Sequence, residues 1–200
     1  SFKNPTQRLN FRAKHIKGMS RCILIGIVAF LSTHAGEAQK IIGAGTRFNN
    51  SFREWIITTE DEDIRGELRM RWTFQDDWTA WDWRVGDVAA TIEQKWAEDP
   101  NLWVIRCEGV TVNAKTAWAG EFKRWKLNDG NAQINWESKY TNQKEDWEIN
   151  ASGNSPFTMH TYWQGDPREW VVEDNMTGEV SNAMKVAMIF LTLHFSTPRI

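Results

Sequence analysis

The chain has 200 residues, 41% of them hydrophobic, which suffices for one domain with a real core or for two small domains. Residues 1–38, read below as a leader, hold six basic side chains and one acidic one, so the rest has 18 Lys+Arg against 25 Asp+Glu, a net of −7. An acidic chain has no electrostatic basis for binding nucleic acid or an anionic membrane surface.

Residues 1–38 are predicted to be a secretory signal peptide with an upstream extension. Met19-Ser20-Arg21 precedes the apolar run 22–31, and small residues lead from there to Ala38. A basic start, a short apolar stretch and a small-residue exit are typical of such signals, and ten apolar residues are too few to span a bilayer. We expect Met19 to be the start, cleavage after Ala38, and a mature protein that is periplasmic or secreted and not integral to the membrane. Gln39 directly after the alanine resembles the export signals of Bacteroidetes.

Apolar and polar residues alternate with period two from residue 66 to residue 174, and turn-forming residues interrupt them, as at 99–101, 128–130 and 165–167. This pattern predicts antiparallel strands with one dry and one wet face. Four units that each begin with a tryptophan and run into a polar turn indicate a repeated β-meander. They start at Trp55, Trp83, Trp125 and Trp170, spaced 28, 42 and 45 residues apart.

Thirteen tryptophans invite the hypothesis of a sugar-binding surface, because indole faces stack on pyranose rings. The alternation favours core packing instead, since ten of them fall in phase with Leu, Ile, Val and Met. These ten are Trp72, Trp83, Trp96, Trp103, Trp118, Trp125, Trp136, Trp147, Trp163 and Trp170. Phe74 continues the same apolar phase, and Trp55 is expected in the core as well.

The segment 179–195 is apolar on nearly all sides, which predicts a buried helix about 25 Å long. We therefore expect residues 39–200 to form a single all-β domain. Its fold class is an antiparallel meander barrel closed around a hydrophobic C-terminal α-helix. The outward faces of the predicted strands are charged, which argues against a porin-type barrel in lipid.

The four tryptophan-led units and the 179–195 helix together resemble the tubby-like barrel, the fold of phospholipid scramblases and LURP-one-related proteins. That resemblance covers most of residues 50–195 and implies a closed antiparallel barrel filled by its C-terminal helix. Tryptophan in place of smaller apolar residues and the predicted export both depart from the family. The family's lipid-linked roles are therefore not carried onto any residue of this chain.

The loop 75–82 is the first candidate for a ligand site, because two aromatic residues lie there among carboxylates. Its candidate residues are Asp76, Asp77, Trp78 and Trp81. The alternative is that the two tryptophans fold back as a lid over the barrel end. The acidic run 59–63 lacks the spacing of a calcium loop, and a solvated turn explains it better.

Few other residues suggest catalysis. Cys107 alternates with apolar residues and is expected to be an inert buried thiol. His194 is expected to be a partly buried, hydrogen-bonded imidazole near the end of the helix, and His160 should face outward. No catalytic, cofactor or metal motif is present, so no cofactor is expected.

The sequence therefore predicts an exported, non-enzymatic β-barrel that acts as a structural or interaction module of the cell envelope. Its expected partner is an envelope protein or a glycan. One alternative is a carbohydrate-binding module with a Trp-lined surface. A second is a glycan-active hydrolase with a carboxylate pair, which requires only two suitably placed acidic residues.

Overall fold

The structure is a computed structural model that describes residues 40–150, 155–176 and 180–199. The predicted leader at 1–38 lies outside these residues. The described part contains twelve strands and one α-helix. The elements are β1 (Ile41–Phe48), β2 (Ser51–Thr59), β3 (Arg65–Trp72), β4 (Asp77–Val85), β5 (Val88–Trp96), β6 (Asp99–Cys107), β7 (Val110–Thr116), β8 (Arg124–Asn128), β9 (Gln133–Ser138), β10 (Asp146–Ile149), β11 (Phe157–Trp163), β12 (Asp166–Asp174) and α1 (Asn182–Ser196).

Each strand pairs antiparallel with its neighbours in the chain, and β1 pairs with β12, which closes the barrel. The predicted fold class is confirmed. Because the strands run alternately up and down, the turns alternate between the two ends of the barrel. We call the end that holds the six turns from odd- to even-numbered strands the lower end. The opposite end, where α1 begins, is the upper end.

The helix α1 fills the barrel, as the uniformly apolar sequence predicts. Twelve of its fifteen residues are buried, and aromatic side chains of the strands pack on it. The ring of Phe190 lies 4.9 Å from that of Trp103, and the ring of Phe195 lies 4.8 Å from that of Trp125. The core is therefore formed between the inner face of the strands and the whole circumference of the helix.

Polar contacts fix α1 at the upper end. The side chain of Ser181 caps the helix by accepting a hydrogen bond from the backbone N–H of Met184, a role that serine favours. The helix thus begins at Asn182, three residues later than the sequence predicts. Lys185 forms a 2.6 Å ion pair with Asp174, whose side chain is almost fully buried. These contacts set the depth of the helix inside the barrel.

Two further contacts hold α1 at the lower end. The Lys144 ammonium donates to the carbonyl oxygen of Phe195 at 2.7 Å, and the indole N–H of Trp147 donates to the hydroxyl of Ser196 at 3.0 Å. Both acceptors lie at the C-terminus of the helix, where backbone carbonyls lack intrahelical partners and a cation is favourable.

The same tryptophan hydrogen bond recurs in all six even-numbered strands. The indole N–H donates to the backbone carbonyl of the residue three positions earlier, with N···O distances from 2.8 to 3.2 Å. The polar end of each indole is thereby satisfied while its rings fill the core. The six are Trp55, Trp81, Trp103, Trp125, Trp147 and Trp170, and none is more than 3% exposed. We call them the inner tryptophan ring.

The inner tryptophan ring corrects the repeat that the sequence analysis assigned. The structural repeat is one hairpin, with its tryptophans 22 to 26 residues apart, and there are six copies in place of four. The predicted repeat used Trp83 instead of Trp81 and omitted Trp103 and Trp147. Trp81 and Trp83 are both buried on β4, so hydrophobic alternation by itself does not distinguish them.

Candidate functional site

Exposed large hydrophobic side chains concentrate at the lower end of the barrel. Among the described residues nine are exposed, and eight of them lie in or beside the six lower turns, at least one per turn. We call these eight the aromatic rim. They are Phe48, Trp72, Phe74, Trp96, Trp118, Tyr140, Tyr162 and Trp163. The ninth, Ile42, lies near the upper end of β1.

Four members of the aromatic rim contradict the prediction that they lie in the core. Trp72, Trp96, Trp118 and Trp163 are 50 to 69% exposed. Trp118 lies in the turn after β7, beyond the last paired residue. The other six predicted core tryptophans, Trp83 among them, are buried as expected.

An irregularity in strand pairing explains why the other three tryptophans are exposed. Trp72, Trp96 and Trp163 each end an odd-numbered strand, and the register shifts immediately before each of them. In β3 and β4, Met70 pairs with Trp81 and Trp72 pairs with Asp77, so three residues of β4 face one residue of β3. Such a bulge ends the regular alternation of faces, and the side chain that follows leaves the core.

At four of the six lower turns this bulge separates an inner aromatic from an exposed one. In β5 and β6, Gln94 pairs with Trp103 of the inner tryptophan ring, and the next paired residue, Trp96, lies opposite Asp99 and is exposed. The carboxylate of Asp99 accepts the backbone N–H of Asn101 and thereby folds the start of β6. Asp77, Asp166 and, through its hydroxyl, Ser51 make the same local bond. The repeat therefore places one aromatic in the core and another outside it at each such turn.

The predicted site lies at the lower end, but residues 77–82 belong to β4 and not to a loop, and the tryptophans face inward. Trp78 is 8% exposed and Trp81 is 1% exposed, and their rings lie 5.7 Å apart. This is the lid arrangement, in which neither indole offers an open face for stacking. The exposed aromatics of that hairpin are Trp72 and Phe74, and Phe74 is fully exposed at the turn, contrary to its predicted place in the core.

The two predicted carboxylates have structural partners. Asp76 accepts the indole N–H of Trp78 at 2.9 Å and forms a 2.7 Å ion pair with Arg53. Asp77 accepts both the backbone N–H and the hydroxyl of Thr79. These bonds account for the charge clustering in this loop. A ligand-binding role for the four residues remains a prediction.

The two ends of the barrel differ in charge. The described residues between strands at the upper end include seven carboxylates and no lysine or arginine. Those at the lower end include four carboxylates and three lysines, which nearly balance. The upper carboxylates are Glu60, Asp61, Glu62, Asp63, Asp87, Glu108 and Asp129, and the lower charges are Asp76, Glu98, Glu121, Glu145, Lys123, Lys139 and Lys144.

Cations accompany the aromatic rim. The Lys95 ammonium lies 5.9 Å from the centre of the Trp96 ring, and that of Lys139 lies 5.7 Å from the centre of the Tyr140 ring. Aromatic rings attract cations at such distances, and lysine can cover apolar surface with its stem while its charge stays in water. The rim therefore combines exposed apolar rings with neighbouring positive charges.

His194 lies inside the barrel directly behind the rim. Rings of Trp78, Trp81 and Trp103 lie within 6.2 Å of it, and its side chain is buried, with 4% exposed. Burial, with a smaller contribution from the Arg199 charge, lowers the pKa of His194 to about 3. The imidazole Nε2 lies 3.3 Å from Arg199, whereas Nδ1 has no partner among the described residues. The expectation of a partly buried histidine is therefore wrong, because the side chain is buried. The expected hydrogen bonding is met at Nε2 and not at Nδ1.

Cys107 agrees with its prediction as an inert thiol. It is 3% exposed, and burial raises the pKa of the thiol to about 11, so the nucleophilic thiolate is scarce at neutral pH.

Two shallow grooves lie on the barrel wall. One, of about 300 Å³, has Arg69, Arg84 and Arg106 beside carboxylates of neighbouring strands. The other, of about 400 Å³, is lined in part by Glu148 and Glu173, together with His160. No group of three or more potential metal ligands is found in the part of the chain that the structure describes.

None of the described helices is long and apolar enough to cross a membrane. Comparison with known proteins yields no assignment, since no family model, no curated protein and no solved structure matches this chain.

Proposed function

We propose that the protein is an exported, non-enzymatic binding module of the cell envelope, and that the aromatic rim is its binding surface. One observation carries this proposal: among the described residues, eight of the nine exposed large hydrophobic side chains lie at one end of the barrel. Single exposed hydrophobics are ordinary on a soluble protein, whereas their concentration in one region marks interaction sites.

The filled interior favours a binding site on the outside. Phe190 and Leu191 of α1 are fully buried, as are Leu68 and Ile105 of the surrounding strands. An internal ligand of the kind that hollow barrels hold would have to displace the helix. The turns at the barrel ends and the wall remain as surfaces for a partner.

The tubby-like resemblance is part of the proposal. A closed antiparallel barrel around a C-terminal helix is the architecture that the resemblance implies, and this chain has that architecture. Fold similarity alone does not transfer function, so the proposal is based on the rim and not on the family's roles.

Cell fractionation tests the proposed function. The full chain, expressed in a bacterial host, is expected to fractionate with the envelope. A variant carrying Phe74→Ser, Trp96→Ser and Trp118→Ser is expected to move to the soluble fraction. The matched control is Ile42→Ser, which removes an exposed hydrophobic side chain away from the rim. Equal distribution of wild type and triple variant would contradict the proposal.

A carbohydrate-binding module is the second candidate, and the four exposed indoles of the rim favour it. Indoles stack on sugar rings, and Trp118 is 69% exposed. Titration with a panel of envelope glycans should then shift tryptophan fluorescence in the wild type, and less in the triple variant, which retains Trp72 and Trp163. No response to any glycan would exclude this candidate.

The hydrolase alternative depends on the wall groove that contains Glu148 and Glu173. It predicts hydrolysis of a glycan substrate that is lost in Glu148→Gln or Glu173→Gln with the fold retained. Absence of hydrolysis by the wild type on the same panel would remove it.

A further inference from the structure

We infer that the aromatic rim docks on the interfacial layer of a phospholipid membrane. In this orientation the barrel axis is close to the membrane normal, and the upper end faces away from the membrane. This inference rests on the proposed function, because it names the partner of the same surface. The membrane would be recognised through its headgroup and upper acyl region, not through a specific protein.

The geometry of the rim favours a flat partner. The six lower turns follow one another around a closed barrel, and each carries at least one exposed aromatic side chain. A single glycan chain or peptide would lie across one side of this circle and leave the remaining turns unused. A surface as extended as a bilayer contacts all of them at once.

The chemistry of the rim matches the membrane–water interface. Tryptophan and tyrosine are enriched at this depth, since their rings are apolar and their N–H or O–H groups reach the headgroups. The rim has four tryptophans and two tyrosines, with Lys95 and Lys139 beside two of these rings. Fully exposed Phe74 has no polar group, so its burial among acyl chains removes apolar surface from water without desolvating a donor.

The charge distribution orients the molecule. The seven carboxylates of the upper turns disfavour approach of that end to an anionic surface, whereas charges nearly balance in the lower turns. Docking through the rim therefore relies on apolar contact more than on attraction to anionic lipid. We expect binding to vesicles of pure phosphatidylcholine, with weak dependence on salt.

Quenching of tryptophan fluorescence by lipid tests this inference. The protein would be mixed with phosphatidylcholine vesicles whose acyl chains are brominated near the headgroup. All thirteen tryptophans lie between residues 55 and 170, so the apolar segment 22–31 contributes no signal even if it inserts by itself. Because this segment is the same in wild type and in Phe74→Ser, the difference in quenching between the two reports the rim.

The wild type is expected to be quenched, with a partition coefficient that falls at least tenfold in the Phe74→Ser, Trp96→Ser, Trp118→Ser variant and stays unchanged in Ile42→Ser. The single variant Phe74→Ser removes no tryptophan, so its weaker partitioning cannot arise from a lost reporter. Unfolding curves of all variants would confirm that these exposed positions leave the fold intact.

Three results would overturn the inference. One is absence of quenching in the wild type, and another is equal partitioning of wild type and Phe74→Ser. The third is a dimer in sedimentation that the triple variant dissociates, because the rim would then be an interface between two copies. If fractionation with the envelope depends on the rim while phosphatidylcholine vesicles give no quenching, the lipid inference fails and the binding module stands.

Discussion

The lower and upper ends of the barrel are made from the same hairpins, yet their turns carry opposite kinds of residues. The upper turns are acidic and include Glu108 and Asp129, which accept hydrogen bonds from Asn182 and Ser181 at the start of α1. The lower turns carry the aromatic rim, and the inner tryptophan ring lies inside on the strands that follow these turns. Because successive turns of a meander alternate between ends, the two ends can differ in composition although both hold the helix.

At the lower end itself, inner and exposed aromatics lie close together in the chain, and at four turns a bulge separates them. Trp103 and Trp96 lie within eight residues of each other, yet one is 1% and the other 61% exposed. Trp103 has a backbone carbonyl for its N–H, which permits burial. This contrast separates residues that stabilise the barrel from residues available to a partner, and the predictions below test that separation.

The largest effect is expected for a charge placed beside the helix. Leu191→Asp should abolish cooperative folding, because a buried charge without a partner costs several kcal/mol, a large part of the stability of a typical domain. Phe74→Asp adds the same charge at an exposed position and should leave the urea midpoint nearly unchanged. Urea unfolding followed by circular dichroism measures both, and a folded Leu191→Asp variant would contradict the description of α1 as core.

The next largest effect is a loss of unfolding free energy at acid pH, which we expect to arise from His194. Its folded pKa of about 3 lies below the ordinary 6.5, so the unfolded chain binds the extra proton and the folded protein loses stability as pH falls from 6.5 towards 3. One proton corresponds to about 1.4 kcal/mol per pH unit, or about 3 kcal/mol between pH 7 and pH 4.

The variant His194→Gln lacks this proton and should show a shallower fall in unfolding free energy over the same range. Carboxylates whose pKa values are lowered, such as that of Asp166 beside Arg168, act equally in both proteins and cancel in the difference. Parallel stability curves for wild type and variant would show that His194 is not the acid-sensitive group.

A smaller effect should separate the two aromatic sets. Trp103→Phe removes the N–H that satisfies the carbonyl of Pro100 and leaves a space in the core, at a cost of about 1–3 kcal/mol. Trp96→Phe makes the same chemical change on the rim and should alter stability by less than about 0.5 kcal/mol. Similar losses for the two variants would mean that the rim also supports the fold.

The smallest effect is expected at the upper end. Ser181→Ala removes the helix cap and the bond to Asp129, and should lower the unfolding free energy by about 1 kcal/mol. Thr197→Ala removes a hydroxyl at the other end of α1, where its bond goes only to the carbonyl of Leu193, and should cost less. The same denaturation experiment compares the two, and a larger loss for Thr197→Ala would reverse the assigned roles of the two helix ends.

The spacing of apolar residues predicted the fold because it shows which face of a strand or helix is buried. Alternation from residue 66 to residue 174 identified the region of β3 to β12, and the Trp55 unit marked β2, whereas β1 was not predicted. The uniformly apolar segment 179–195 identified the helix that the strands enclose. The lid alternative for segment 75–82 placed its two tryptophans over a barrel end, and the segment does lie near the lower end, although residues 77–82 belong to β4. Trp78 and Trp81 are buried there on β4, and the sequence does not show which face of a strand near a turn an indole occupies.

The sequence by itself determined a closed meander of strands around a buried helix, because burial of apolar faces leaves a periodic trace along the chain. Tertiary structure decided which tryptophans belong to the core and which to the rim. A bulge places three residues opposite one, and that choice depends on the partner strand and on a backbone carbonyl positioned for the indole N–H. Trp72 and Trp96 continue the apolar period of their strands, yet lie outside the core for this reason.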